Sequence, residues 1–298
     1  MTGLQRDVEM DDTPVGFTWG KADGDYYLKS PDGGLRRLSD DGWKLLRALA
    51  QGDVSIDELE GTPREIVDEL ESEGYIRPNE PVVELLEPDP IRLWPRVVLF
   101  VGLVAIGAIV AWAEVPKLLG PNELTKPSRL VPFVGLGLVT VAVHEAGHYL
   151  ASKPYFDPSI RVGLVNAVIP SVITETTEAW ILPRAHRLWI TLAGPFAQIL
   201  WTLVVAAVAR LAFPESALLS TFVVTMVAGT VFVLNPLIHG DGYLLLVDAF
   251  DVVDLRTTGL DHLRERTLSL PAVYVVLSYG FGIGMAVLMV ASTATFLL

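Results

Sequence analysis

The sequence predicts a mainly α, polytopic membrane protein of about five transmembrane helices with a β-hairpin at the membrane edge, preceded by a small N-terminal α+β domain. Two observations predict it. The 298 residues are 51% hydrophobic with a mean hydropathy of +0.44, and the apolar residues gather into long runs, which an ordinary soluble domain does not need. The charge is also divided, because residues 1–90 hold 9 Lys+Arg against 22 Asp+Glu while the remainder carries 13 of each.

The formal charge of −13 therefore belongs to the N-terminal third. An acidic head excludes nucleic acid as a partner, since phosphate binding needs a basic face. The absence of cysteine excludes disulfides, thiolate metal ligands and cysteine nucleophiles, leaving His, Asp and Glu to hold any metal. Five histidines are available: His144, His148, His186, His239 and His262. The opening "MTGLQRDVEMDD" has no apolar core of the kind a signal peptide carries, so the head is expected to remain in the cytoplasm.

Residues 1–78 read as a winged-helix-like domain. "DYYLK" and "LRRL" flank "SPDGG", with Asp32-Gly33 as the signal of a hairpin turn. Ser39 or Asp40 caps a helix whose Trp43, Leu45, Leu46 and Leu49 recur at helical spacing. A second helix is expected around "SIDELE" and a third through "PREIVDELESEGYI", with Pro63 near its start and Gly74 as its stop. Residues 79–92, rich in proline, read as a linker. Residues 93–298 form the transmembrane domain, with spans expected at roughly 93–113, 130–152, 188–210, 217–240 and 271–297. "VGLVNAVIPSVIT" is uncharged but too short to span, which predicts a hairpin or re-entrant element.

With the head inside, the inner loops carry Arg92, Arg96, Lys153, Arg161, Arg184, Arg187, Arg256, Arg264 and Arg266. The outer side carries only Lys117, Lys126, Arg129 and Arg210, the asymmetry the positive-inside rule requires. The expectation is a multi-pass cell-membrane protein with a cytoplasmic N-terminus. His186 and Arg184, beside Arg187, then lie at an inner boundary and read as headgroup contacts, His262 reads as solvated, and the glycines of "YGFGIGMAV" read as helix-packing positions.

One stretch carries chemistry. "TVAVHEAGHYLASK" sets His144, Glu145 and His148 in an otherwise apolar helix, where ionisable groups are costly and need a compensating reason. An H-E-x-x-H places two histidines one turn apart to share a metal, with the glutamate available to act on a metal-bound water. A third protein ligand is needed. Asp241, in "LNPLIHGDGYLLLVDAF", falls at the inner end of the fourth span, the same side as His148. His239 is a rival ligand, and the carboxylate is preferred because it adjoins Gly242, where backbone can bend toward a site. Asn235, beside the helix-breaking Pro236, reads either as a substrate-backbone partner or as a partner for a freed helix group.

"HEAGH", "LAGPFAQ" at 192–198 and "NPLIHGDGY" at 235–243 together resemble the ordered motifs of the site-2 protease family of intramembrane zinc metalloproteases. "TETTEAWILPRAHRLWITLAGP" and "NPLIHGDGYLLLVDAFDVVDLR" look closer to its putative peptide zinc metalloprotease branch. The resemblance covers about residues 130–255. It departs at Gly240, where the family commonly has an apolar residue, and at Glu175, Thr177 and Glu178, where the branch usually has aspartate and serine. It implies one Zn2+ per chain held by His144, His148 and Asp241, with Glu145 catalytic. The implied substrates are membrane-spanning or hydrophobic peptides cut near the cytoplasmic face, within the lipid bilayer. The hairpin around 160–180 would offer a strand edge to such a substrate. The alternative is a non-catalytic membrane peptide-binding or export component with a structural metal; a channel or transporter with an incidental motif predicts no metal at all. Residues 35–78 are similar to PqqD-like winged-helix domains, which implies a leader peptide or a regulatory partner at the head.

Overall fold

The computed structural model describes residues 5–8, 15–78, 80–165, 169–238, 240–250 and 255–297. The protein is 65% helical. By contacts the chain forms two compact units: Met1–Trp94 with His148–Arg161 and Ile173–Ile190, and Pro95–Gly147 with Val162–Val172 and Thr191–Leu298.

The first unit is built on a six-stranded sheet of β1 (Gln5–Val8), β2 (Val15–Ala22), β3 (Asp25–Lys29), β4 (Leu35–Leu38), β5 (Ile76–Pro78) and β6 (Val82–Leu85). Its order is β1-β6-β2-β3-β4, with β5 pairing β2. The β3–β4 hairpin forms where "DYYLK" and "LRRL" predict it. The sheet is otherwise larger than a hairpin, and β6 is drawn from the proline-rich stretch read as linker. In β2, Val15 and Phe17 alternate inward onto Leu28, Leu46, Leu49, Val67 and Leu70, the period of two that a half-buried strand requires.

Ser39 caps α1 (Asp40–Ala50) through its side chain to the Gly42 N–H, and α2 (Thr62–Ser72) begins with Pro63 and stops before Gly74 at φ 77°. The expected middle helix is a single 3-10 turn, Ile56–Glu58, closed by a Ser55/Glu58 capping box. The three-helix expectation for the head is therefore corrected to two helices and a turn. The six residues 55–60 supply the capping box but are too short to nucleate a longer helix.

The turn from β2 to β3 is Asp23-Gly24, with φ of 53° and 98°, the positive pair that a type I′ hairpin turn demands. Asp23 also accepts a hydrogen bond from the Arg184 N–H at 2.6 Å, at the start of α6 (Arg184–Ala212). A carboxylate from a distant strand turn thus caps that helix. Arg187, 2% exposed, approaches Asp23 and the Trp180 ring, and His186, fully buried, donates Nε2–H to the Asp89 carbonyl at 3.1 Å. His186 thus finds a protein partner, which corrects its reading as a headgroup contact.

In the second unit, α3 (Leu93–Glu114), α4 (Pro121–Leu124), α5 (Pro127–Ser152) and α6 are followed by α7 (Ala217–Val233), α8 (Asp241–Phe250), α9 (Leu255–Arg264) and α10 (Leu270–Leu297). Among the described residues four helices are long and apolar enough to cross a membrane: Leu93–Lys117, Pro127–Ser152, Arg184–Ala212 and Leu270–Leu288. Ile109 and Trp112 on α3 are 70% and 81% exposed, an apolar surface suited to lipid contact. The expected span 217–240 is helical only over 17 residues, because Pro236 has no N–H to continue it and disfavours helix at Asn235.

Phe100, Leu192, Ile199 and Val227 form one core among these helices, and Val205, Phe222 and Val223 another. Glu114 is buried and bonded by Arg210 Nε and Ser220 Oγ, each at 2.8 Å, so a charge inside the apolar bundle is fully engaged. Gly280, Gly282 and Gly284 face open space, which corrects their reading as packing positions within this chain. The glycine that packs tightly against α10 is Gly259 on α9, whose added Cβ would lie 2.4 Å from the Pro271 carbonyl oxygen. His262 bonds Ser269 Oγ at 2.7 Å and is only partly exposed, a further departure from expectation. A β-hairpin of β7 (Ser159–Val165) and β8 (Ile169–Glu175) forms where the short uncharged stretch predicts one.

Asp23→Ala removes the cap of α6, and an expected loss of about 1–2 kcal/mol follows. Asp23→Asn, which keeps an acceptor oxygen and tolerates the left-handed turn, recovers most of it in denaturant titration of the detergent-solubilised protein.

Candidate metal centre

Three features bring the candidate metal ligands together: the turn of α5, its close approach to α6, and the restart of the chain at α8. His144 and His148 lie one turn apart on α5, on one face. Gly147, between them, is where α5 meets α6. A Cβ there would sit 2.3 Å from the Ala193 carbonyl oxygen and 2.9 Å from Ala197 Cβ, so only glycine allows this approach.

The histidines are anchored on α6. His148, 8% exposed, holds its Nδ1 at 2.8 Å from the Ile190 carbonyl oxygen. A carbonyl only accepts, so Nδ1 carries the proton and Nε2 keeps its lone pair. Pro195, inside the same helix, lacks the N–H that would bond the Thr191 carbonyl next to Ile190. His144 Nδ1 lies 2.9 Å from Gln198 Oε1, and Gln198 Nε2 donates to Thr230 Oγ1 at 3.0 Å.

Asp241 arrives by a break in the chain. After α7 ends, Asn235 Oδ1 accepts from the Leu237 N–H at 3.0 Å, while Tyr274 Oη and Ser278 Oγ donate to the carbonyls of Pro236 and Leu237. The polar groups that the break frees are thus satisfied by a local side chain and by α10. Gly242 packs on the same break, its Cβ position only 2.3 Å from the Leu234 carbonyl carbon. Asp241 is the first residue of α8, where the helix dipole favours a carboxylate.

The result is a group of His144, His148 and Asp241 whose ligand atoms all lie within 4.8 Å of one another. His144 Nε2 is 3.0 Å from Asp241 Oδ2. This group can hold a metal ion. Two imidazole nitrogens and one carboxylate are donors of the kind that a three-ligand metal site uses. No family model, curated protein or solved structure matches the chain.

Of the other residues the sequence singles out, Glu145 is half-buried on α5 between the two histidines. Asn235 has its side-chain oxygen engaged by Leu237. His239 lies outside the described residues. Gln198, Thr230 and the Ile190 carbonyl were not identified as site groups from sequence. Gln198 and Thr230 carried a signal all the same, as polar side chains buried in otherwise apolar helices.

Gly147→Ala forces α5 and α6 apart, and zinc affinity is expected to fall at least about tenfold, as when groups supporting metal ligands are displaced. Gly137→Ala, on the same helix but facing open space, leaves it unchanged. Competition against a chromophoric chelator reads both.

Proposed function

We propose that the protein is a membrane-embedded zinc endopeptidase of the site-2 protease kind, cutting membrane-spanning or hydrophobic peptides near the cytoplasmic face. The observation that carries this reading is the convergence of His144, His148 and Asp241 with Glu145 next to a ligand on the same helix. A purely structural metal has no use for that acid and closes its fourth position with protein.

In this reading α7 serves as a fifth, shorter span beside the four long helices. Basic residues favour the cytoplasmic side for the N-terminus, which puts His148 and Asp241 toward the inner face. The head would receive a leader peptide or a regulatory partner. Zinc bound by the three ligands would polarise the scissile carbonyl and acidify a water. Glu145 accepts the proton of the attacking water as its oxygen adds to the carbonyl carbon, then returns it to the leaving nitrogen. Ile190 holds the His148 ring in place through its carbonyl. Asn235, at the chain break, would steady the substrate backbone with its amide.

Glu145→Gln is expected to keep one zinc per chain and to lose about 10²–10⁴-fold in cleavage of a hydrophobic transmembrane peptide in micelles. His148→Ala loses both metal and cleavage. Undiminished turnover by zinc-loaded Glu145→Gln protein would rule out the protease reading.

A further inference from the structure

His144 poses a problem that His148 does not. The acceptor for His148 Nδ1 is a backbone carbonyl, which can play only one role. The partner of His144 Nδ1 is a side-chain amide, and an amide turned by 180° would present its NH2 instead of its oxygen. That reversal would place a donor against Nδ1, push the ring proton to Nε2, and remove the lone pair that a metal needs.

The surroundings of Gln198 forbid the reversal. Thr230 Oγ1 donates to the Met226 carbonyl at 2.9 Å and accepts from Gln198 Nε2 at 3.0 Å. The Met226 carbonyl itself lies 3.5 Å from the same nitrogen. Two acceptors therefore surround one end of the amide, and the opposite end must be the oxygen. Thr230 is fully buried and Gln198 is 7% exposed, so water does not compete for these bonds. The proton order runs in one direction, from Thr230 to Met226, from Gln198 to Thr230, and from His144 to Gln198. It turns the Nε2 lone pair toward Asp241 Oδ2, 3.0 Å away, and two acceptors that close call for a cation to share.

We propose that Gln198, locked by Thr230, is a positioning residue that sets the His144 tautomer for metal binding. Its place is behind the ligand, and it touches neither substrate nor reacting atoms. The inference rests on the metal-site reading above, but not on proteolysis.

The test uses full-length protein in detergent, loaded with Zn2+ or with Co2+ as a spectroscopic probe. Gln198→Leu keeps the volume but removes the acceptor, and zinc affinity is expected to fall about 10–100-fold. Gln198→Glu restores an acceptor and recovers most of that affinity, with the wild-type Co2+ visible spectrum. Thr230→Val frees the amide to reverse and weakens zinc by a smaller factor, while Thr230→Ser rescues it. Chelator-treated melting curves report whether each variant still folds. A merely structural role predicts losses that follow apo-protein stability and a Glu variant no better than the Leu variant, and either result overturns the proposal. Wild-type affinity in a folded Gln198→Leu protein overturns it while leaving the metal site standing. A wild-type protein that binds neither metal overturns the metal reading and this inference together.

Discussion

The contact of two helix backbones at Gly147 is the constraint on which the site depends. Imidazoles buried in an apolar bundle are tolerable only if their N–H groups are bonded, since an unpaired buried polar group costs on the order of a few kcal/mol. The acceptors that satisfy them, the Ile190 carbonyl and the Gln198 amide oxygen, both belong to α6. Side chains as short as histidine reach across only if the helices nearly touch. Gly147 removes the one Cβ that would prevent it. The polar ligands and the glycine between them are therefore one structural solution.

The second requirement is a carboxylate delivered from a third helix. A continuous α7 would carry the chain past the histidines, whereas Pro236 ends it early and lets α8 restart with Asp241 at its first residue. Breaking a helix inside an apolar bundle exposes backbone groups, and the usual objection to such a break is their desolvation. Here the carbonyls of Pro236 and Leu237 are taken by Tyr274 and Ser278 of α10. The last helix of the chain thereby makes the break sustainable, although it contributes no ligand. Gly242 fills the remaining condition by letting α8 lie against the Leu234 backbone.

How much of this could be read from residues alone depends on whether the signal is local. The two histidines on one helical face, the hairpin at "SPDGG", and the starts of α1 and α2 follow from spacing and capping over a few residues. Strand β6 escaped because it comes from a proline-rich stretch and pairs with β1 and β2 far away in sequence. Strand β2 was legible but unread: Asp23-Gly24 carries the same turn signal as Asp32-Gly33, and Val15, Phe17 and Trp19 alternate before it. The length of α7 was overestimated because apolar composition continues through Leu234–Ile238 while the backbone does not. Gln198 and Thr230 could be seen as polar in apolar surroundings, but their pairing with each other is a tertiary fact that no periodicity encodes.

The N-terminal sheet bears on the metal site through the geometry of α6. Its Asp23 caps the first turn of that helix at Arg184, and Ile190 follows six residues later, less than two turns along. A helix is stiff over that length. The placement of the Ile190 carbonyl against His148 therefore depends on how the start of α6 is held. Asp23 holds it through the Arg184 N–H, the Asp89 carbonyl through His186, and Lys29 through Glu178 in the 3-10 turn Thr177–Ile181 that precedes the helix. Asp23, Asp89 and Lys29 all come from the first third of the chain, but only Asp23 acts through a carboxylate, since Asp89 offers its backbone carbonyl and Lys29 is a base. One carboxylate of the acidic head, Asp23, thus fixes where α6 begins. The sheet consequently contributes to the orientation of a buried imidazole without supplying any ligand.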